Sequence, residues 1–542
     1  MTSRRNCAYW KFIIAVAFVF VAAPTMAQHD HGGAADDGVL ELPESFNEPI
    51  QLYAGVLGDH SHPISSTNAE ARGYFNQGFQ LMYAFAKEDA TRSFREAWKR
   101  DPDCAICYWG EAWSWGSYLN GPMRAYEAPH AYAAIHEALT RLDHASPKEK
   151  SYIEAMAVRY VETFDPDKRR DQDTAYAEAM RTVAEGYPDD LDAATLYADA
   201  LFLLEPRRGT RDLNDPNVQR LHAVLEGVLV RDIRHPGACH LYVHATESTV
   251  QPEKAEACAE FLGNSIPGAS HINHMPSHTW NEIGRWGDAV RANIQAWHSD
   301  QKAKVGEGLA IYPSHNLHML LFAASMDGQG AVAIQAGKDY AKVTGNSVYQ
   351  VLTLIRFGRF DEVLRVMDRP ERDIPGGLWD FAQGYAHLRQ GDADFARVYL
   401  DRVLVAAESS EDRLRFHSAE HLLGTASAIL EGEIHRDAGN LDAAMESFER
   451  AVRIEDQLGY DEPEPLPFAA RHWLGAALLQ AERYADAERV YREEVADHPH
   501  NGWSLFGLKT ALQAQRKSLG DVDVDLKASW ARSDTWLSAS RF

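Results

Sequence analysis

From about Ala71 onward, apolar residues recur every three or four positions and no stretch alternates for long, a pattern that predicts helices rather than strands. Small residues interrupt the apolar faces at fixed places. Counting from Ala71, Gly78 stands at position 8, Ala90 at 20, Phe94 at 24, Ala97 at 27 and Pro102 at 32. Counting from Phe468, Gly475, Ala487, Tyr491 and Pro499 stand at 8, 20, 24 and 32. Counting from Thr425, Gly432, Ala444, Phe448 and Ala451 stand at 8, 20, 24 and 27. Two helices that cross closely need small side chains at such places, and a proline near 32 ends the second one.

This spacing is that of the tetratricopeptide repeat (TPR), a helix-turn-helix unit with a period of 34 residues that stacks into a solenoid. Weaker units fall around 147–188, 191–231, 346–370 and 378–408, and Asn501 to Gln515 reads as one more first helix. The expected fold is all-α, a TPR-type right-handed superhelix. The expected organisation is a signal peptide over 1–27, a flexible arm over 28–66, a histidine-bearing solenoid over 67–408 and further repeats over 409–542. A break at Glu408-Ser409-Ser410-Glu411 divides the expected solenoid into two arms.

Histidines follow the same period. His240 and His244 are four residues apart, and His274 and His278 repeat that pair thirty-four residues later. Counting units from Pro236, Ser270 and Ser314 puts Ala255, Ala289 and Ala333 at position 20. His240, His274 and His318 then share position 5, His271 and His315 share position 2, and His244 and His278 share position 9. Positions 2, 5 and 9 lie on one helical face. In stacked repeats the first helices line the concave surface, roughly 8–10 Å apart. The register therefore predicts one imidazole cluster with the position-5 histidines nearest a common centre. Neutral imidazole suits a divalent transition metal such as Zn, Cu or Fe. Glu247, one turn beyond His244, is the expected extra ligand or general base. Pro276 should kink its helix or delay its start, leaving His271 and His274 on a turn.

Other chemistry is sparse. Cys104 and Cys107 open the second unit without the following histidine of a haem attachment motif, and could pair with each other. Cys239 and Cys258 could pair across one helical hairpin. Trp109, Trp113 and Trp115 are candidates to wall the groove, although packed core is the commoner fate of such residues. The rigid acidic run from Asp461 to Pro467 precedes Arg471 and His472, and could cap the far end of the groove. His29 and His31 could capture copper loosely. No nucleophile elbow, phosphate-binding loop or His-Glu-x-x-His motif is present.

The first 27 residues carry Arg4, Arg5 and Lys11, then an apolar run from Phe12 to Ala23 and the small-residue site Thr25-Met26-Ala27. That is the pattern of a cleaved secretory signal, and it implies a periplasmic or secreted protein with no membrane span after cleavage. Cleavage removes three positive charges and no negative ones, taking the formal net charge from −25 to −28. A chain so acidic repels nucleic acid and anionic membrane surfaces, and its expected partners are metal ions, cations or neutral molecules.

The segments Asp101-Pro-Asp-Cys-Ala-Ile-Cys-Tyr-Trp-Gly, His235-Pro-Gly-Ala-Cys-His, His274-Met-Pro-Ser-His, Tyr312-Pro-Ser-His-Asn-Leu-His and His498-Pro-His-Asn-Gly-Trp-Ser-Leu-Phe-Gly-Leu resemble those of a family of exported bacterial TPR proteins. The resemblance spans most of the mature chain and implies the fold and the export, with activity unassigned. Cys239 stands where that pattern has an apolar residue, which argues against an essential cysteine there. Two functions follow as expectations. One is a transition-metal centre in the concave groove, open to metal-dependent catalysis. The alternative is a non-catalytic scaffold holding a small molecule, peptide or protein partner in that groove.

Overall fold

The computed structural model of the protein describes residues 42–206 and 209–542. The expected signal peptide, His29 and His31 lie outside the described residues.

Helix pairs fill the expected registers. Ala69–Tyr83 and Lys87–Arg100 form the unit counted from Ala71. Ala419–Asp437 with Leu441–Glu455, and Arg471–Gln480 with Tyr484–Asp497, form the two late units. Asn68 caps the first helix by accepting from the amides of Glu70 and Ala71, and Lys99 and Arg100 close the second against its negative end. The turn between paired helices requires a left-handed residue at repeat position 15. Gly284, Gly328 and Gly439 supply it with φ of 73°, 71° and 80°, whereas Phe85 and Glu482 adopt it at 60° and 59°. The crossings are tight for a stated reason. A Cβ on Gly78 would stand 2.8 Å from the Phe94 ring, and one on Gly110 of the next unit would strike the same ring. Gly475 and Gly507 clasp Tyr491 in the same way. The repeats are thus bolted through the aromatic at position 24. Among the described residues, strand is confined to the antiparallel pair Arg413–Leu414 and His417–Ser418.

Two expectations about organisation are corrected. Residues 42–66 are not a loose arm. Phe46 and Ile50 are buried, and the first helix holds this strap by its polar side chains. Gln77 accepts from the Tyr53 amide, Gln80 from the Gly58 amide and Asn76 from the His62 amide. A segment without helical period looked unstructured because its partners are side chains of another element.

Nor does the solenoid part at 408–411. Val403, Ala419 and Leu422 belong to one continuous buried apolar set, and the described residues fall in one compact unit. The interruption in the apolar core lies elsewhere. One buried set runs from Phe46 to Ile311, the other from Ala259 to Leu512, and they meet around the histidine-bearing helices. A polar layer occupies the seam between them.

Candidate metal centre

Three first helices enter the seam. Pro236–Thr246 carries His240 and His244, with Glu247 at its C-cap. Ser270–His274 and Pro276–Glu282 carry His271, His274 and His278. Met275 between them keeps helical angles (φ −50°, ψ −37°), so Pro276 interrupts the hydrogen bonding without turning the chain aside. His271 and His274 therefore stand on a helix, not on the turn expected from Pro276. Pro313–Met326 carries His315 and His318.

Six imidazoles gather here as two sets of three. In the set His240, His244 and His271, and again in the set His274, His278 and His315, the ligand nitrogens lie within 4.8 Å of one another. All are buried except His315, which is half-buried. His318 is the exception to the expected register. Its ring stacks on Tyr349 at 4.1 Å and its Nδ1 faces Arg415 at 3.1 Å, so His315 takes the place expected for it. The cause is an insertion. Residues 304–312 lengthen the second unit and pair with its start: Ser270 N donates to Leu309 O at 3.1 Å and Leu309 N to Gly268 O at 2.8 Å. Tyr312 then turns the chain through a left-handed conformation, φ 59°, into the third helix. The third helix presents position 2, not position 5.

The hydrogen bonds define which nitrogens face inward. His240 Nδ1 lies 2.6 Å from the Tyr83 carbonyl oxygen, an acceptor only, so Nδ1 carries the proton and donates. In the neutral ring Nε2 is then a lone pair, and it faces His271 Nε2 at 3.1 Å. His244 Nδ1 donates to Glu247 Oε1 at 2.8 Å and His278 Nδ1 to Glu247 Oε2 at 2.5 Å. His278 Nε2 faces His274 Nε2 at 3.2 Å. His244 Nε2 and His271 Nδ1 are buried with no hydrogen-bond partner. Burial, followed by the neighbouring imidazoles, holds His240, His271 and His274 well below the ordinary histidine value and so neutral. Burial also acts on His278, but Glu247 outweighs it and raises that ring. Burial opposes ionisation of Glu247 as well, yet His278 and His244 hold its carboxyl far below the usual range. With both oxygens engaged, Glu247 is placed to orient imidazoles rather than to act as a free base.

Strain and aromatic walls surround the cluster. Six described non-glycine residues have left-handed φ, and two of them, Phe85 and Tyr312, touch histidines of the cluster. Phe85 lies tilted 4.3 Å from His240 and stacks 5.4 Å from His271, and Tyr312 meets His271 edge-on at 5.1 Å. Each such conformation costs about 1–3 kcal/mol and persists where the surroundings fix it, typically at functional sites. From far along the chain, Asp461 and Glu462 close over the seam: Arg415 donates to Asp461 at 2.7 Å, and Glu462 Oε2 stands 3.6 Å from His278 Nδ1. The acidic run thus lies against the histidines rather than at a far end.

A cavity of about 590 Å³ opens beside His278. Glu282, Glu455, Asp461, Glu462, Glu464 and Asp497 line it, opposed by Arg471, which pairs with Asp456 at 2.6 Å. His472, expected in the groove with Arg471, is instead fully buried behind it, near Arg356. Trp109, Trp113 and Trp115 do not wall this cavity. They are buried in the first apolar core, Trp113 against Tyr83 and Trp109 against Tyr152. The cysteines pair as Cys104–Cys107 and Cys239–Cys258, the second tying the His240 helix to the next.

A further cluster escaped sequence reasoning. Asp192 accepts from Tyr83 Oη and His62 Nδ1, both at 2.7 Å, with His60 Nε2 and His235 Nε2 each at 3.1 Å. The strap, the fourth-unit helix Leu191–Phe202 and the first histidine helix meet at this carboxylate. The sequence signal was slight, since His60 and His62 sit in a stretch without period.

Among the described residues, no helix is long and apolar enough to cross a membrane. No family model matches the chain, and no curated protein matches its sequence. Solved structures to which it is similar include yeast Tom70, at 10% identity over 83% of this chain and 96% of that one, TM-score 0.32. The APC/C hetero-tetramer Cut9-Hcn1 is similar at 12% identity over 84% and 79%, TM-score 0.29. The human IFIT1 dimer is similar at 10% identity over 86% and 90%, TM-score 0.29.

Proposed function

We propose that the protein is an exported, TPR-type metal-binding protein that holds a transition metal between buried imidazoles of three neighbouring first helices. One observation carries this reading. The Tyr83 carbonyl fixes the proton of His240 on Nδ1, so a buried lone pair at Nε2 faces a second buried imidazole nitrogen at 3.1 Å. Two nitrogens bound to one zinc at 2.0–2.1 Å and the tetrahedral angle stand about 3.3 Å apart. The orphaned buried Nε2 of His244, whose Nδ1 is already bonded to Glu247, supports the same reading, because a buried acceptor is costly to leave unmade. Neutral nitrogen donors favour Zn, Cu, Fe or Ni over Mg or Ca. Three protein ligands leave one coordination position for water or substrate, so metal-dependent catalysis belongs to this reading, with the adjoining cavity as the place for a substrate. Export rests on the pattern of residues 1–27.

A TPR-like scaffold also suggests peptide or protein partners, and the carboxylates of the cavity favour a basic segment. Elemental analysis of the protein purified without an affinity tag separates the two. On the metal reading the protein carries Zn, Cu, Fe or Ni, a chelator lowers its melting temperature, and His274→Ala lowers both the metal content and the chelator response. A metal-free protein whose melting ignores all four ions overturns it.

A further inference from the structure

Resting on that reading, we infer that the centre is dinuclear: His240, His244 and His271 hold one transition-metal ion, and His274, His278 and His315 hold a second. The six imidazoles divide without overlap into two sets, each with all three ligand nitrogens within 4.8 Å. Each set contains one Nε2 pair at ligand-to-ligand separation, 3.1 Å in the first and 3.2 Å in the second. One ion cannot use six imidazoles in a tetrahedral site.

The alternative grouping of His244, His278, Glu247 and Glu462 uses the Nδ1 atoms. Its contacts of 2.8 and 2.5 Å between nitrogen and carboxylate are hydrogen-bond lengths, shorter than two ligands of one ion stand apart. Glu247 therefore belongs outside the ligand shell, and its place there is informative. It receives one imidazole from each set, so a single carboxylate orients both halves. The sets are adjacent: His244 and His278 lie 5.2 Å apart between ring centroids, as do His271 and His274. Phe85 and Tyr312 wall the first set, and Asp461 with Glu462 covers the side nearest Glu247. The donors are all neutral nitrogen, the chemistry of Zn and Cu rather than of the carboxylate-rich pairs that take Mg or Mn.

The test is zinc content after stripping and reloading, compared between the native chain and the His271→Ala/His315→Ala double variant, which removes one ligand from each set. Reading the difference cancels any ion held elsewhere, at the amino-terminal histidines or around Asp192. The expected difference is two equivalents, with one lost in each single variant. A difference of one overturns the dinuclear centre and leaves a metal-binding protein. A difference of zero overturns both. If the double variant loses its helical spectrum, His271→Gln/His315→Gln, closer in size, takes its place, with the same three outcomes.

Discussion

Replacing Glu247 by glutamine tests the logic of the seam most directly. The carboxylate accepts from two imidazole N–H groups at once, His244 Nδ1 at 2.8 Å and His278 Nδ1 at 2.5 Å. A glutamine amide offers one acceptor oxygen and one N–H₂ donor. One ring keeps its bond. The other faces donor with donor and must move its proton to Nε2, which removes a lone pair from the ligand set. The lost charge-assisted bond is worth about 1.5–3 kcal/mol, which corresponds to a fall in metal affinity of about ten- to a hundredfold. Two assays read it. Competition with a chromophoric chelator gives the affinity. Nitrogen-15 imidazole spectra of the metal-free protein give the tautomers, which should be Nδ1–H for His240 in both proteins and altered for one of His244 and His278 in Glu247→Gln. Affinity within twofold of native with unchanged tautomers would refute the reasoning. Complete loss of metal with tautomers intact would make Glu247 a ligand instead of an orienting group.

Two further outcomes are expected. Burial raises Asp300 from an ordinary 3.8 to about 7, where Asn316 donates to it at 3.0 Å. A carboxyl raised on folding contributes stability that is full below about pH 4 and lost as pH rises through about 7. Asp300→Asn should therefore match the native protein near pH 4 and exceed it by up to about 4 kcal/mol at pH 8, read from denaturant midpoints; a pH-independent difference would contradict this. The Cys239–Cys258 bond closes a loop across 19 positions. Its removal in Cys239→Ser/Cys258→Ser should cost about 3 kcal/mol of stability without changing the helical spectrum, and an unchanged denaturant midpoint would show that the bond constrains nothing.

The helical period and the small residues at 8, 20 and 27 made the fold legible, because close crossing tolerates little else at those places. Gly78 and Gly475 lie against Phe94 and Tyr491 as the counting requires. The same counting gathered the histidines, but it treated successive units as equally rotated. Residues 304–312 break that equality by pairing beside Ser270, so His315 faces inward and His318 turns to Tyr349. Elements held by side chains instead of by periodicity stayed hidden. The strap is fixed by Asn76, Gln77 and Gln80, and Asp192 draws its histidines from two distant segments. The tryptophans were legible as large apolar residues but not as core or groove, since composition alone carries no direction.

Arg415, Asp461 and Glu462 have a consequence for the order in which the molecule is made. A chain synthesised or translocated from its amino terminus releases the strap and all six imidazoles well before these three residues. The three helices that carry the histidines are near neighbours in sequence, so they can assemble early, whereas Glu462 must return across a long span of chain to reach His278. If those helices pack as soon as they are released, the imidazoles are gathered while still open to solvent. On the metal reading, ions taken up at that stage would meet no barrier from residues 461–464. Once residues 461–464 have docked, the approach that remains runs past the carboxylates of the cavity, which draw cations in and turn anions away.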